Sequence, residues 1–195
     1  MFERKLWEAY KRVNEIFCEA ILKVADPDDV VLVNDYHLTL LPFFIRQKIK
    51  NIKIGFFLHI PFPSFEIFRL LPWRREILKG LLEADLIGFH TYDYVKHFLE
   101  SVRRILGHEH AYGEMILGNR IVKVDAFPMG IDYEKFSKAA LDDKVQREIH
   151  RIRERVGDRK LILSVDRLDY TKGIPQRLEA FSLFLDRCCS IANEG

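Results

Sequence analysis

Cysteine is scarce, charge of one sign is not in excess, and no long apolar run occurs. Three cysteines in 195 residues argue against a disulfide framework. Cys188 and Cys189 are adjacent, and Cys18 falls in a helical stretch where a buried thiol is the natural state. No zinc-type spacing appears, and an intracellular setting fits best. Lysine and arginine number 31 against 29 acidic residues, a formal net charge of +2. There is thus no global field of the kind that marks a nucleic-acid or membrane-surface binder. No segment approaches the roughly 20 apolar residues of a membrane span, and Met1-Phe2-Glu3-Arg4-Lys5 lacks a signal-peptide core. The expected location is cytoplasmic, with neither nucleic acid nor membrane as partner. Walker A, G-x-S-x-G, H-E-x-x-H and G-x-G-x-x-G signatures are all missing, as are internal repeats and low-complexity tracts.

What is present is ample apolar content, 48% of residues, enough to bury a core in a chain of one large or two small domains. Trp7, Tyr10, Phe17 and Ile21 mark an amphipathic helix over residues 3–24, ended by Asp26-Pro27-Asp28-Asp29. Val30-Val31-Leu32-Val33 reads as a strand buried on both faces, and a helix restarts near Thr39 with Pro42 in its first turn. Ile52 to Leu58 is a second buried strand. Helical segments follow around 66–70 and 74–83. Leu86-Ile87-Gly88-Phe89 is a third strand, Thr91 caps the next helix, and Gly107 ends it. Gly118-Asn119 sits between two short strand-like runs as a hairpin turn. A charged helix is expected over 132–156, a strand from Lys160 to Val165, and a helix after Pro175. Strand alternating with helix predicts an α/β chain with a mainly parallel sheet, and the break at 128–130 marks a domain boundary.

In open parallel sheets, ligands bind beyond the carboxyl ends of the strands, often against helix N-termini. Four segments stand there: Asn34-Asp35-Tyr36-His37, the loop His59 to Ser64, His90-Thr91-Tyr92-Asp93, and Asp166 to Gly173. In the last, Arg167 and Lys172 reach a strand tip where Gly173 permits a turn into a helix, a set of cations and backbone N–H groups suited to a diphosphate. The alternative is that Arg167 pairs with Asp166 or Asp169 while Lys172 is solvated. Asp35 could accept hydrogen bonds from sugar hydroxyls or cap the helix near Thr39. His59 is either a satisfied structural histidine or an uncharged hydrogen-bonding group, with Phe57 and Phe62 lowering the dielectric around it. His108-Glu109-His110 has a metal-pair look without a third ligand. The run from Arg147 to Arg155 alternates in sign and reads as a solvated helix face.

Longer motifs carry a family resemblance. Asp35-Tyr36-His37-Leu38 with Leu40-Leu41-Pro42, Gly55-Phe56-Phe57-Leu58-His59-Ile60-Pro61-Phe62-Pro63, and the run from Ala84 to Tyr94 resemble the trehalose-6-phosphate synthase family. So do Phe127-Pro128-Met129-Gly130-Ile131-Asp132 and the run from Ser164 to Gly173. The resemblance extends from Trp7 to Leu185. Asn34, where the family usually has histidine, and Thr39, where a larger apolar residue is common, are the local departures.

The resemblance implies a GT-B glycosyltransferase with Rossmann-like parallel sheets and helices on both faces. It further implies transfer of glucose from UDP-glucose to glucose 6-phosphate with retention, giving trehalose 6-phosphate and UDP, without metal or other cofactor. On that reading Arg167 and Lys172 are catalytic and hold the donor diphosphate. His59 contacts the transferred glucose and Asp35 binds the acceptor. Residues 1–130 correspond to the latter part of the N-terminal acceptor-side domain and 131–195 to an incomplete start of the donor domain, so the family pattern is truncated at both ends. A chain holding half a cleft is expected to have negligible transferase activity alone. Other readings are a non-catalytic synthase-like regulatory or scaffold subunit of a trehalose-synthesising complex, and a GT-B enzyme with another acceptor. Homo-oligomerisation is compatible with any of them.

Overall fold

A computed structural model describes residues 3–188. The chain divides into two compact units, Met1–Gly130 and Ile131–Gly195.

In the first unit, helix α1 (Arg4–Ile21) leads to strand β1 (Val30–Asn34), helix α2 (Leu41–Lys48), strand β2 (Lys53–Phe57), helices α3 (Phe65–Phe68) and α4 (Arg74–Leu81), and strand β3 (Leu86–Phe89). Helix α5 (Tyr92–Leu106) and the hairpin β4 (Glu114–Leu117) and β5 (Arg120–Ala126) complete it. The sheet order is β1-β2-β3-β5-β4. The β1–β2, β2–β3 and β3–β5 pairs are parallel, and only β4–β5 is antiparallel. Residue chemistry sets the element ends. The Thr91 side chain accepts the Tyr94 N–H at the start of α5, Gly107 closes that helix at φ 79°, and Gly118 turns the hairpin at φ 65°.

The parallel register places Val31, Val33, Ile54, Phe56, Ile87, Phe89, Val122 and Val124 on one sheet face, where they join Ile45, Leu78, Phe98 and Val102 of the helices in one core. The opposite face is different. Val30 and Leu32 are 74% and 67% exposed, so β1 is buried on one face only, contrary to the expectation from its four apolar residues. The run looks continuous because an edge strand can carry valine and leucine on both faces while the helices of this unit pack against one of them.

In the second unit the charged stretch forms two helices, α6 (Tyr133–Ala139) and α7 (Asp143–Val156), rather than one. Asp142 breaks them, its carboxylate accepting the Lys144 N–H at 2.7 Å. Helix α8 (Ile174–Arg187) begins with Pro175 in its first turn. The strand expected from Lys160 to Val165 is absent among the described residues, and Leu161, Ile162, Leu163 and Val165 are 64–81% exposed. A ladder needs a partner strand, and these residues have none in their unit. Cys18 is buried, which pushes its thiol pKa up. Cys188 is a free thiol, and Cys189 lies outside the described residues.

Candidate functional site

Asp35 begins the site in the first unit. Its backbone adopts φ 71°, ψ 169°, a combination occupied almost only by glycine and costing an L-residue on the order of 1–3 kcal/mol. Two bonds hold it there: the Asp35 N–H donates to the Phe57 carbonyl at 2.8 Å, and Asp35 Oδ1 accepts the His59 N–H at 3.2 Å. The carboxylate therefore caps no helix; α2 starts beyond Leu40 without a side-chain cap. His59 Nε2 lies 3.1 Å from Asn34 Oδ1, so the ends of β1 and β2 present Asp35 and His59 together. Among the described residues, the second Asp35 oxygen has no partner and remains open to a donor. The Phe57 ring lies across Gly88, where a Cβ would stand 2.6 Å from it. Phe57 there meets the rings of His59 and His90 at 4.9 and 5.0 Å, and the two histidine rings lie 5.6 Å from each other, so the three rings cluster together.

His59 itself is exposed. Phe62 does not shield it, as had been expected; that side chain is 3% exposed and packs on Phe68 and Phe98 in the core. The reason is the sheet end: Pro61 and Pro63 straddle Phe62, and the chain drops it between α3 and α5. His97 Nδ1, 3.2 Å from the Phe62 carbonyl, anchors the same loop. The sequence does not point to it, because a histidine inside an amphipathic helix carries no loop signal.

A buried polar network supports the Asp35 turn from the other side. Asn14, fully buried on α1, donates to the Tyr10 carbonyl at 2.9 Å and the His37 carbonyl at 3.0 Å, and accepts the Leu40 N–H at 3.2 Å. The Tyr10 hydroxyl contacts Thr39 Oγ1 at 2.6 Å, donates to the Tyr36 carbonyl at 2.7 Å and accepts the Thr39 N–H at 3.0 Å. Burial pushes the Tyr10 pKa up, against the opposing effect of its Thr39 bonds. Both residues sit four apart on one face of α1, a spacing visible in the sequence, but their partners 23–29 residues away were not.

In the second unit, Arg167 and Lys172 lie on one exposed loop before α8. Asp166 pairs with Arg177 at 2.7 Å, and Asp169 Oδ1 accepts the Thr171 N–H at 2.9 Å and the Thr171 hydroxyl at 2.8 Å. Those two bonds hold the Asp169 carboxyl below the ordinary aspartate range, with a lesser contribution from Arg167 and Lys172. Among the described residues, Arg167 and Lys172 form no ion pair, so Arg167 is not consumed by Asp166 or Asp169. Gly173, at φ 60°, turns the chain into α8. Arg177, which no sequence motif marks, bonds Ser164 Oγ, Asp166 and the Lys172 carbonyl. It ties both ends of the loop to the helix. Among the described residues no group of three histidine, cysteine, aspartate or glutamate side chains is placed to hold a metal ion, and no helix is long and apolar enough to cross a membrane.

Comparison with solved structures defines the class. Over 98% of its length the chain matches a UDP-forming α,α-trehalose-phosphate synthase from Burkholderia vietnamiensis with a TM-score of 0.82 and 34% identity, covering 43% of that protein. It matches a trehalose-6-phosphate phosphatase N-terminal domain from Candida albicans with a TM-score of 0.80 and 37% identity, covering 94% of the chain and 40% of that domain. This is the α/β fold of the GT-B glycosyltransferases, a mostly parallel sheet flanked by helices.

The family-wide pattern of glycosyltransferase family 20 matches residues 1–194, and the chain belongs to that family. It is 51% identical over 192 residues to the UDP-forming α,α-trehalose-phosphate synthase of Pichia angusta, and 48% identical over 188 residues to that of Emericella nidulans. These alignments cover 95% and 94% of the chain but only 40% and 37% of the relatives.

Proposed function

We propose that this chain supplies part of the catalytic cleft of a retaining glucosyltransferase that moves glucose from UDP-glucose to glucose 6-phosphate, yielding trehalose 6-phosphate and UDP. The observation that carries the proposal is the pairing of Asp35 with His59 at adjacent strand ends, in a chain 51% identical to a UDP-forming synthase. Asp35, with one oxygen occupied by the His59 N–H, accepts a hydroxyl of the acceptor sugar. His59 contacts the glucose in transfer. Arg167 and Lys172, unpaired among the described residues, hold the donor diphosphate and neutralise the charge that builds on UDP as the anomeric C–O bond breaks. The acceptor hydroxyl forms the new glycosidic bond, and its proton passes to the leaving phosphate, so no protein carboxylate is required as base. Residues 1–130 form the acceptor side and 131–195 the beginning of the donor side.

The test exploits the partial coverage. The corresponding segment of the Pichia angusta synthase is replaced by this chain, and trehalose 6-phosphate formation is measured. The chimera is expected to be active and to lose activity on Asp35→Ala or Arg167→Ala, while the 195-residue chain alone gives negligible product. A folded chimera without activity would overturn the catalytic reading. It would favour a second one, a non-catalytic synthase-like subunit of a trehalose-synthesising assembly. The observation favouring that second reading is the likeness to the N-terminal domain of a trehalose-6-phosphate phosphatase, a protein named for a different activity.

A further inference from the structure

We propose that the concavity between α3, α4 and α5 binds a small phosphate-bearing anion. It has a volume of about 350 Å³, and its lining includes Phe65, Arg69, Arg74, Arg75 and Arg104. Four guanidinium groups, from α4, α5 and the residue that follows α3, thus face one hollow. Two carboxylates accompany them: Glu66 pairs with Arg69 at 2.8 Å and with Arg104 at 3.6 Å, and Glu100 pairs with Arg104 at 2.6 Å. The local balance is 4 − 2 = +2, which matches a phosphate dianion.

The free donors are where such an anion needs them. Among the described residues, Arg74 and Arg75 have no carboxylate partner. Each has one guanidinium nitrogen bonded to a backbone carbonyl: Arg74 to Leu71 at 3.0 Å, and Arg75 to Ile105. A guanidinium carries five N–H donors in a planar fork, so both retain donors to offer. Arg104 is held in place by Glu100 and by the Phe65 ring, 4.6 Å from its guanidinium carbon. Fixing that side chain in advance lowers the ordering cost of binding.

A solvated charged surface has another pattern, seen on α7. There Arg151 pairs with Glu148 and His150 lies beside Glu154, all within one helix, and the charges alternate along the chain. The hollow has local pairs too, Glu66 with Arg69 and Glu100 with Arg104. It adds the Glu66–Arg104 pair between elements and brings Arg74 and Arg75, without carboxylate partners among the described residues, beside them. The mutual repulsion of the guanidinium groups is unfavourable until an anion relieves it. The site shares no lining residue with Asp35, His59, Arg167 or Lys172, and the proposal does not rest on the glucosyltransferase reading.

The test uses the 195-residue chain with inorganic phosphate as probe. Isothermal titration and ³¹P NMR are run on Arg167→Gln/Lys172→Gln, which removes the other cationic loop, and on the same chain with Arg74→Gln/Arg104→Gln added. Saturable binding is expected in the first. The added pair should weaken it by about tenfold or more, as loss of charge-assisted bonds requires, and added salt should weaken it further. Lys138→Gln/Lys144→Gln, which removes equal charge from α6 and α7, should leave the affinity unchanged. If the Arg74/Arg104 variant loses its circular dichroism signal, Arg69→Gln/Arg75→Gln replaces it. Failure to saturate below about 10 mM, or equal weakening by the α6–α7 control, overturns the proposal.

Discussion

Replacing Asn14 by alanine tests whether the α1 network holds the turn that presents Asp35. Asn14 is fully buried and makes three hydrogen bonds, to the carbonyls of Tyr10 and His37 and from the N–H of Leu40. Truncation leaves the Leu40 N–H and the His37 carbonyl without those bonds, in a place water cannot readily reach. An orphaned buried polar group costs about 1–3 kcal/mol. Alanine is the better helix former by up to about 0.7 kcal/mol, which offsets a fraction. The net expectation is a loss of about 2–4 kcal/mol, a large share of the roughly 5–15 kcal/mol that holds a typical domain together. The assay is urea unfolding followed by tryptophan fluorescence. Trp7 and Trp73 are the only tryptophans, and their rings stack at 4.9 Å within the first unit, so the signal reports that unit alone. With a urea slope of about 2 kcal/mol per molar, the middle of the usual range, the midpoint should fall by about 1–2 M. Asn14→Asp is a sharper probe, since it keeps the acceptor for Leu40 but turns an oxygen toward two carbonyls. It should destabilise at least as much. A loss under about 0.5 kcal/mol, the range of an inconsequential surface change, would refute the reasoning.

Tyr10→Phe should cost about 1–3 kcal/mol by removing the hydroxyl shared by Thr39 and Tyr36. It should also change the alkaline limb. Burial raises the Tyr10 pKa, so the native fold favours its neutral form. That contribution is complete below the ordinary tyrosine value of about 10 and is lost as pH rises through the raised native value. Wild-type stability should therefore fall more steeply than that of Tyr10→Phe above about pH 10, measured as the difference between their urea midpoints. Gly80→Ala should destabilise by about 1–3 kcal/mol, because the new Cβ would stand 2.5 Å from the Thr39 carbonyl oxygen; an unchanged thermal midpoint would show that α4 can move away. Arg46→Met should cost about 3 kcal/mol, since Arg46 is 8% exposed, pairs with Asp85 at 2.9 Å and donates to the Glu83 and Lys50 carbonyls. Adding Asp85→Asn to Arg46→Met should recover part of that loss, which a double-mutant cycle reads directly.

Most elements were legible because their signals are local. The helical periodicity of α1, the Thr91 cap, the Gly107 stop and the Gly118-Asn119 turn each act within a few residues, and those elements appear where expected. The buried side of α1, however, is carried by Trp7, Asn14 and Cys18, while Phe17 of the expected apolar stripe is 47% exposed. The failures share a cause. Whether Val30 and Leu32 are buried depends on which strands and helices cover them. Whether Lys160 to Val165 becomes a strand depends on a neighbour that must come from elsewhere in the sequence. Neither is a property of the residues themselves.

The candidate site divides along the same line. Sequence alone singled out Asp35, His59, Arg167 and Lys172 as candidates, because strand signals, a turn glycine and long ordered motifs are written in the chain, although no strand directly precedes Arg167 among the described residues. It also determined the α/β order and the family. Only tertiary structure brought the Asp35 carboxylate to the His59 N–H, 24 residues away, sent Phe62 into the core and placed Asn14 and Tyr10 beneath the turn. It likewise assigned Asp166 to Arg177 rather than Arg167, and gathered four arginines from α4, α5 and the end of α3 around one hollow. Side-chain periodicity and turn chemistry are short-range, whereas hydrogen-bond partners and charge clusters are set by packing between distant segments, whose geometry exists only after the chain has folded.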